Sequence, residues 1–209
     1  MVAAKSRRRA VDELKRGLIL EAAARIFETK GLEGASLRAI AAEAGYTPAA
    51  LYFHFESKEA IYAELLGQSL AAIDRAVTAV VADAKTPEAR LRAAALAFFR
   101  FYADKPRDLE LGFYLMQGGL GPKGLGQAHD QALNRALAAC LEPIGKAAQE
   151  LGLAASATGP FVAAVFAHLC GVLLLAHTGR LRLFGVSAET LVERYLAQEI
   201  AGLKASAVA

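Results

Sequence analysis

Apolar residues recur at helical spacing along most of this chain. Leu14, Leu18, Ala22, Ile26 and Phe27 share one face and predict a helix from about Val11 to Lys30, with Gly31 as its stop. Ser36 is a natural N-cap for a brief helix whose inner face is Leu37, Ile40, Ala41 and Ala44. Gly45 turns the chain, and Thr47-Pro48, a cap followed by proline at the first helical position, restarts it over Pro48 to about Phe53. Ser57 caps a long helix striped with Ile61, Leu65, Leu66, Leu70, Ile73, Val77 and Val80. Thr86-Pro87 repeats the cap-and-proline device and opens a helix bearing Leu91, Ala94, Phe98 and Tyr102. After Lys105-Pro106 another helix carries Leu109, Phe113 and Met116, and a glycine-rich loop spans 118–126. Longer helices follow at about 127–151, 160–177 and 187–203. No convincing strand, hairpin or internal repeat interrupts the series, so the fold class is all-α.

Composition agrees. Hydrophobic residues form 55% of the chain, and much of that is alanine, the best helix former. The net charge of +3 matters through its location. Between Met1 and Arg16 six basic residues face only Asp12 and Glu13, a net of +4, which leaves −1 for the rest. Positive charge is thus gathered in an N-terminal arm, residues 5–9 above all, suited to phosphate contacts or a groove. A solvated tail is the plainer alternative. No apolar stretch follows the basic start, so no signal peptide is expected. Cys140 and Cys170 sit in apolar helical contexts without metal-site spacing and read as reduced core thiols of a cytoplasmic protein. From Leu151 to Gly179 there is no charged side chain. The apolar part is short for a bilayer span, is rich in alanine and glycine, and carries His168, so a core or subunit-interface helix is expected rather than a membrane segment.

The stretch Ser36–Phe55 is two short helices joined at Ala44-Gly45-Tyr46, a helix-turn-helix arrangement. Ala41 and Ala44 are small enough for a close crossing, and Leu51 anchors the second helix inward. Thr47, Pro48, Ala49, Ala50, Tyr52 and Phe53 remain for the outward face, where a recognition helix would meet the major groove. Hydroxyls of Thr47 and Tyr52, with His54 and Lys58, suit phosphate contacts; the methyls of Ala49 and Ala50 suit thymine methyls. An ordinary helical hairpin is the competing reading.

Ile40-Ala41-Ala42-Glu43-Ala44-Gly45, Leu51-Tyr52-Phe53-His54-Phe55 and Ser57-Lys58-Glu59 together closely resemble the DNA-binding signature of the TetR family. Arg25-Ile26-Phe27, Gly31 and Ser36 fit the same register, so the resemblance covers roughly the first sixty residues. It implies phosphate contacts at Ser36, Thr47, Tyr52, His54 and Lys58, and groove-facing positions at Arg38, Pro48, Ala49, Ala50 and Phe53. Tyr46 and Ala39 depart from it, standing where the family often has a small aliphatic residue and an acid. The resemblance further implies a three-helix DNA-binding domain over 1–57 and a helical ligand-binding and dimerisation domain over 58–209. The expected partners are a double-stranded operator, a second copy held through helices 127–151 and 160–177, and a small, mainly apolar effector. A dimeric repressor released by that effector is the function it implies.

Leu66, Phe98, Tyr102, Phe113 and Met116, with Gln117 and His168 as polar fixtures, are candidates for the effector site, although plain core packing is the preferred reading of each one alone. Gly119-Leu120-Gly121-Pro122-Lys123-Gly124 satisfies a dinucleotide-binding pattern, but no strand precedes it, so a nucleotide-binding enzyme is the weaker alternative. His54, His129, His168 and His177 show neither metal-ligand spacing nor a triad partner, so no metal, cofactor or catalytic residue is expected.

Overall fold

Ser36, Thr47, Ser57, Thr86 and Ser187 turn the chain into helices by the same chemistry. Each side-chain oxygen accepts the amide three residues on, from Ala39, Ala50, Ala60, Ala89 and Thr190, at 3.0–3.2 Å. Those bonds satisfy amides that the first helical turn leaves free. The computed structural model describes residues 2–112 and 124–208 and is helical throughout its regular elements. In order these are α1 (Val2–Gly34), α2 (Leu37–Glu43), α3 (Pro48–Tyr52), α4 (Lys58–Asp83), α5 (Pro87–Asp104), α6 (Pro106–Gly112), α7 (Gln127–Glu150), α8 (Ala155–His177), a 3₁₀ turn (Arg180–Phe184) and α9 (Ala188–Val208).

Several boundaries differ from expectation. The first helix starts at Val2, nine residues before Val11, because the basic arm is built from good helix formers. At Gly31 the backbone leaves helical geometry, with φ 64° and ψ 177°, so the expected stop is there within the longer element. The 160–177 helix starts at Ala155, which puts Pro160 inside it. Only the carbonyl of exposed Ser156 loses its intrahelical partner, and water can serve it. The final helix runs past Leu203 to Val208. Residues 113–123, which hold Phe113, Met116, Gln117 and most of the glycine pattern, lie outside the described residues.

The described residues group into two compact units. One takes in the chain up to Gln68 together with residues between Arg107 and Leu133. Its core is Ile19, Ala22, Ala23 and Phe27 of α1, Ile40 and Ala41 of α2, Leu51 of α3, Phe55, and Ile61, Tyr62 and Leu66 of α4. The Phe27 and Tyr62 rings meet edge to face at 4.9 Å, and the Tyr62 hydroxyl donates to the Leu111 carbonyl at 3.1 Å, tying α6 to α4. Arg107 of α6 pairs with Glu28 of α1 at 3.0 Å.

The other unit comprises Ser69–Pro106 and Asn134–Ala209. Leu70, Ile73 and Val77 of α4, Leu91, Ala94, Ala95, Leu96, Phe98, Phe99 and Tyr102 of α5, Ile144 of α7, Val165, Leu169 and Leu173 of α8, and Val192 and Leu196 of α9 fill its interior. Three ion pairs cross from α5 to α9: Glu88–Lys204, Arg92–Glu193 and Arg100–Glu189. Numbers rise along α5 as they fall along α9, so the two run antiparallel. A backbone N–H, then Lys204 and Thr86, hold the Glu88 carboxyl down at about 2. Helices α7 and α8 approach closely at Gly145, where a Cβ would come within 3.0 Å of the Thr158 methyl. Burial pushes the Cys140 and Cys170 thiols up to about 11. The Cys140 thiol donates to the Leu70 and Ala136 carbonyls.

By length and composition alone, α4 and α8 are long and apolar enough to cross a membrane. In α8 only 22% of the most apolar window is buried within the chain. Its exposed side is a run of small and apolar residues: Gly159, Pro160, Ala163, Ala164, Ala167, Gly171 and Leu174.

Candidate nucleic-acid interface

Helix α2 ends where the Ala44 amide returns to the Ile40 carbonyl, and Gly45 then takes φ 72°, a left-handed geometry that a side chain resists. The Tyr46 amide closes the turn on the Ala41 carbonyl at 2.8 Å. Thr47, extended at φ −76° and ψ 151°, redirects the chain into α3, and Pro48 supplies a preset φ where no amide donor is needed. Leu51 is fully buried and fixes the rotation of this short helix. At its C-terminal end the His54 and Phe55 amides both return to the Leu51 carbonyl, at 2.9 and 3.0 Å, and Phe55 turns back into the core.

With Leu51 and Phe55 inward, the rest of α3 faces water. Pro48 and Ala49 are exposed and Ala50 is half-buried. Tyr52 is 59% exposed and Phe53 89%. Ser36, Arg38 and Thr47 are also exposed, and His54 is half-buried. Small residues and two outward aromatics are thereby presented beside an arginine and several hydroxyls.

Lys58 has a different neighbourhood. Its ammonium donates to the carbonyls of Leu32 at 2.8 Å, Ala35 at 3.2 Å and Glu33 at 3.4 Å, closing the C-terminal end of α1. All three donors are engaged there, so a phosphate contact would be shared with the cap rather than made by a free side chain.

Sequence reasoning counted Arg16 only as part of the basic arm. Its Nε donates to Glu64 Oε1 at 2.9 Å, its Nη2 to Glu64 Oε2, and its Nη1 to the His54 carbonyl at 2.8 Å. The guanidinium also lies 4.1 Å from the centre of the Phe55 ring. One side chain on α1 therefore holds the end of α3 and the second turn of α4. No local signal marks it, because its partners are 38 and 48 residues away.

Among the effector-site candidates, Leu66 is buried in the same unit as α3. Phe98 and Tyr102 are buried in the other, their rings edge to face at 5.0 Å, with Phe166 against Phe98 at 5.8 Å. His168 stacks on Tyr195, ring centres 3.9 Å apart and planes 13° apart. Desolvation, partly offset by Leu191 and Glu199, holds its imidazole below the ordinary value, and its Nε2 is buried without a hydrogen-bond partner. A groove of about 580 Å³ lies along α7 and α8, lined by Leu137, Leu141, Val162, Ala163 and Phe166 among others.

Residues 19–65 match the family described as bacterial regulatory proteins, tetR family. An uncharacterized HTH-type transcriptional regulator, YdgC of Bacillus subtilis, is 31% identical over 110 residues, which are 50% of this chain and 55% of that protein. The HTH-type transcriptional activator FasR of Mycolicibacterium smegmatis is 34% identical over 87 residues, 42% of this chain and 40% of its own. The chain thus spans about half the length of the curated relatives it matches. Among solved structures, the transcriptional regulator FadR from Bacillus subtilis, in complex with stearoyl-CoA, superposes with a TM-score of 0.68 at 16% identity. That similarity covers 88% of this chain and 97% of FadR, so the fold is shared well beyond the N-terminal helices. The capped α2–turn–α3 unit lies inside the matched residues, so over this segment the chain is similar to the bacterial regulatory proteins of the tetR family.

Proposed function

We propose that this protein is a ligand-responsive transcriptional regulator that binds operator DNA as a homodimer through α2 and α3. The observation that carries this reading is α3 itself. A helix with one fully buried anchor, Leu51, leaves Pro48, Ala49 and Tyr52 exposed and Ala50 half-buried, and ends on two exposed aromatics. A helix that served only the core would place apolar bulk inward. Two copies related by a twofold axis would read half-sites about 34–36 Å apart on a near-palindromic operator. Ser36, Thr47, Tyr52 and His54 ring α3 as phosphate contacts that set its register, with Lys58 behind them. The arm at residues 5–9 adds positive charge. Such a protein works where the DNA is, in the cytoplasm.

The dimer reading rests on α8. Its exposed side has no charge and is lined by alanine and glycine, and the α7–α8 groove beside it is mainly apolar, with Glu142, Lys146 and Gln149 on its α7 side. Covering that side with a second copy removes it from water. An effector acts through the unit that contains α5 and α8. Helix α4 is the covalent route from there, since its residues up to Gln68 belong with α3 and the remainder belong with α5. The apolar, aromatic interior around Phe98, Tyr102 and Phe166 favours a mainly hydrocarbon ligand. The stearoyl-CoA held by FadR makes long acyl thioesters the first class to try. Coupling of about 1–3 kcal/mol would give roughly 5–150-fold release. A repressor is the simpler reading of release by ligand, although FasR is named an activator.

The test is a salt titration of binding to DNA flanking the protein's own gene, with wild type and Tyr52→Ala. Specific binding that weakens with salt, and weakens further in the variant, supports the regulator. Stearoyl-CoA and free stearate then follow on the bound complex. Absence of specific binding to flanking or randomised DNA overturns the reading. Operator affinity unchanged by either acyl compound overturns the proposed effector class alone.

A further inference from the structure

The outward face of α3 lacks the side chains that usually read base pairs. Pro48, Ala49, Ala50 and Phe53 have no hydrogen-bonding group beyond the backbone. The Thr47 oxygen is already accepting the Ala50 amide at 3.2 Å. Phe53, 89% exposed at the C-terminal end of the helix, is the most exposed large hydrophobic side chain among the described residues. A ring standing in water contributes little to folding, and its burial is gained only when α3 meets a partner. In the major groove the apolar group that distinguishes one base pair from another is the C5 methyl of thymine.

We propose that α3 reads its operator by apolar contact with thymine methyls, Ala49 and Ala50 at one end and Phe53 at the other. This inference rests on the proposed function and specifies the DNA chemistry that the reading helix selects. Phe53 follows Ala50 by three residues and Ala49 by four, so they share a face about 4.5–6 Å apart along the helix. That separation is between one and two base-pair steps of about 3.4 Å. Each half-site then holds two thymines, adjacent or one position apart, beneath α3. Hydrogen-bonded readout is left to Arg38, exposed on α2 outside that face, and to the Tyr52 hydroxyl where it is not held by phosphate.

The experiment begins with selection of an operator from randomised duplexes by the full-length protein. Each thymine of a half-site is then replaced by uracil, which removes only the methyl. Two replacements are expected to weaken binding about fourfold each, the worth of one buried methyl or methylene. In Phe53→Ala, which leaves the core untouched, one of those two penalties disappears while the other remains. Placing 5-methylcytosine at a contacted position retains affinity better than cytosine does. An enriched operator indifferent to every uracil replacement overturns the methyl readout while leaving the regulator standing. Uracil penalties that persist unchanged in Phe53→Ala remove Phe53 from the reading surface. If no duplex is enriched over random DNA, the regulator reading falls and this inference falls with it.

Discussion

Replacing Arg16 by alanine tests whether one side chain on α1 holds the reading helix in place. The variant loses three interactions at once. A hydrogen bond from a charged donor to the His54 carbonyl, 2.8 Å here, is worth about 1.5–3 kcal/mol net. The cation over the Phe55 ring at 4.1 Å adds about 0.5–1 kcal/mol. The pair with Glu64 is discounted, because its side chains are 40% and 26% exposed, to about 0.2–1 kcal/mol. These terms overlap, so a loss of about 2–3 kcal/mol is expected, concentrated on the α3–α4 connection. Hydrogen–deuterium exchange of the peptide covering residues 47–55 reads it locally, where whole-chain melting of a two-unit protein would mix transitions. Exchange should quicken about 30–150-fold in Arg16→Ala, and about fivefold at most in Glu64→Gln, which removes only the ionic part. Rates within threefold of wild type in Arg16→Ala would refute the reasoning. A Glu64→Gln effect equal to that of Arg16→Ala would refute the apportionment, placing the strength in the carboxylate.

Leu51→Ala opens a cavity at a fully buried site and should cost about 2–5 kcal/mol, with specific DNA binding lost before helical content falls; unchanged operator affinity would contradict the anchoring role. Lys58→Met should lower reading-head stability by about 1–3 kcal/mol, through the uncapped carbonyls at 32, 33 and 35. If Lys58 serves the cap alone, the salt dependence of DNA binding keeps its slope, whereas a lost phosphate contact would reduce the slope by about 0.9. His168 is held below the ordinary value of 6.5 in the folded state, chiefly by desolvation. The unfolded chain therefore takes up the proton first, and the stability this site contributes is present above pH 6.5 and is lost as pH falls below it. His168→Phe, which keeps a ring against Tyr195, should flatten that part of the stability profile between pH 7 and 5; an unchanged profile would show that the histidine does not contribute.

What was legible in the sequence was local. Thr47-Pro48 and Thr86-Pro87 announce helix starts because the cap oxygen, the amide it accepts and the proline lie within four residues. Gly45 announces the turn because one backbone geometry requires it. The positions of Ser36 to Phe53 on α2, the turn and α3 follow from the spacing of Leu37, Ile40, Ala41, Ala44 and Leu51 and from Gly45. Less legible was whatever depends on distant partners. Lys58 looks like an available phosphate ligand until the carbonyls 23 to 26 residues before it are seen beneath it. Arg16 looks like arm charge until its Glu64 and His54 partners come into place. The two misjudged helix starts have local causes as well. Residues 2–10 lack apolar periodicity yet have high helix propensity. Pro160 reads in the sequence as a first helical position, and it is the sixth residue of α8.

Helix α8 has a consequence for the life of the newly made chain. The 23 residues of α8 include an 18-residue window with a mean hydropathy of 2.1, finished before α9 is synthesised, and only 22% of that window is buried in the folded chain. To membrane-targeting machinery such a segment resembles an anchor, and to a chaperone or protease it resembles a fault. If the proposed dimer forms through α8, a lone chain at low concentration is exposed to misrouting and clearance until a second copy covers that helix. Abundance inside the cell should then rise more steeply than synthesis rate, with a threshold set by how fast the covering surface is found. Substituting a charged residue at Ala164 or Gly171 should soften that threshold, making the lone chain easier to keep and harder to pair.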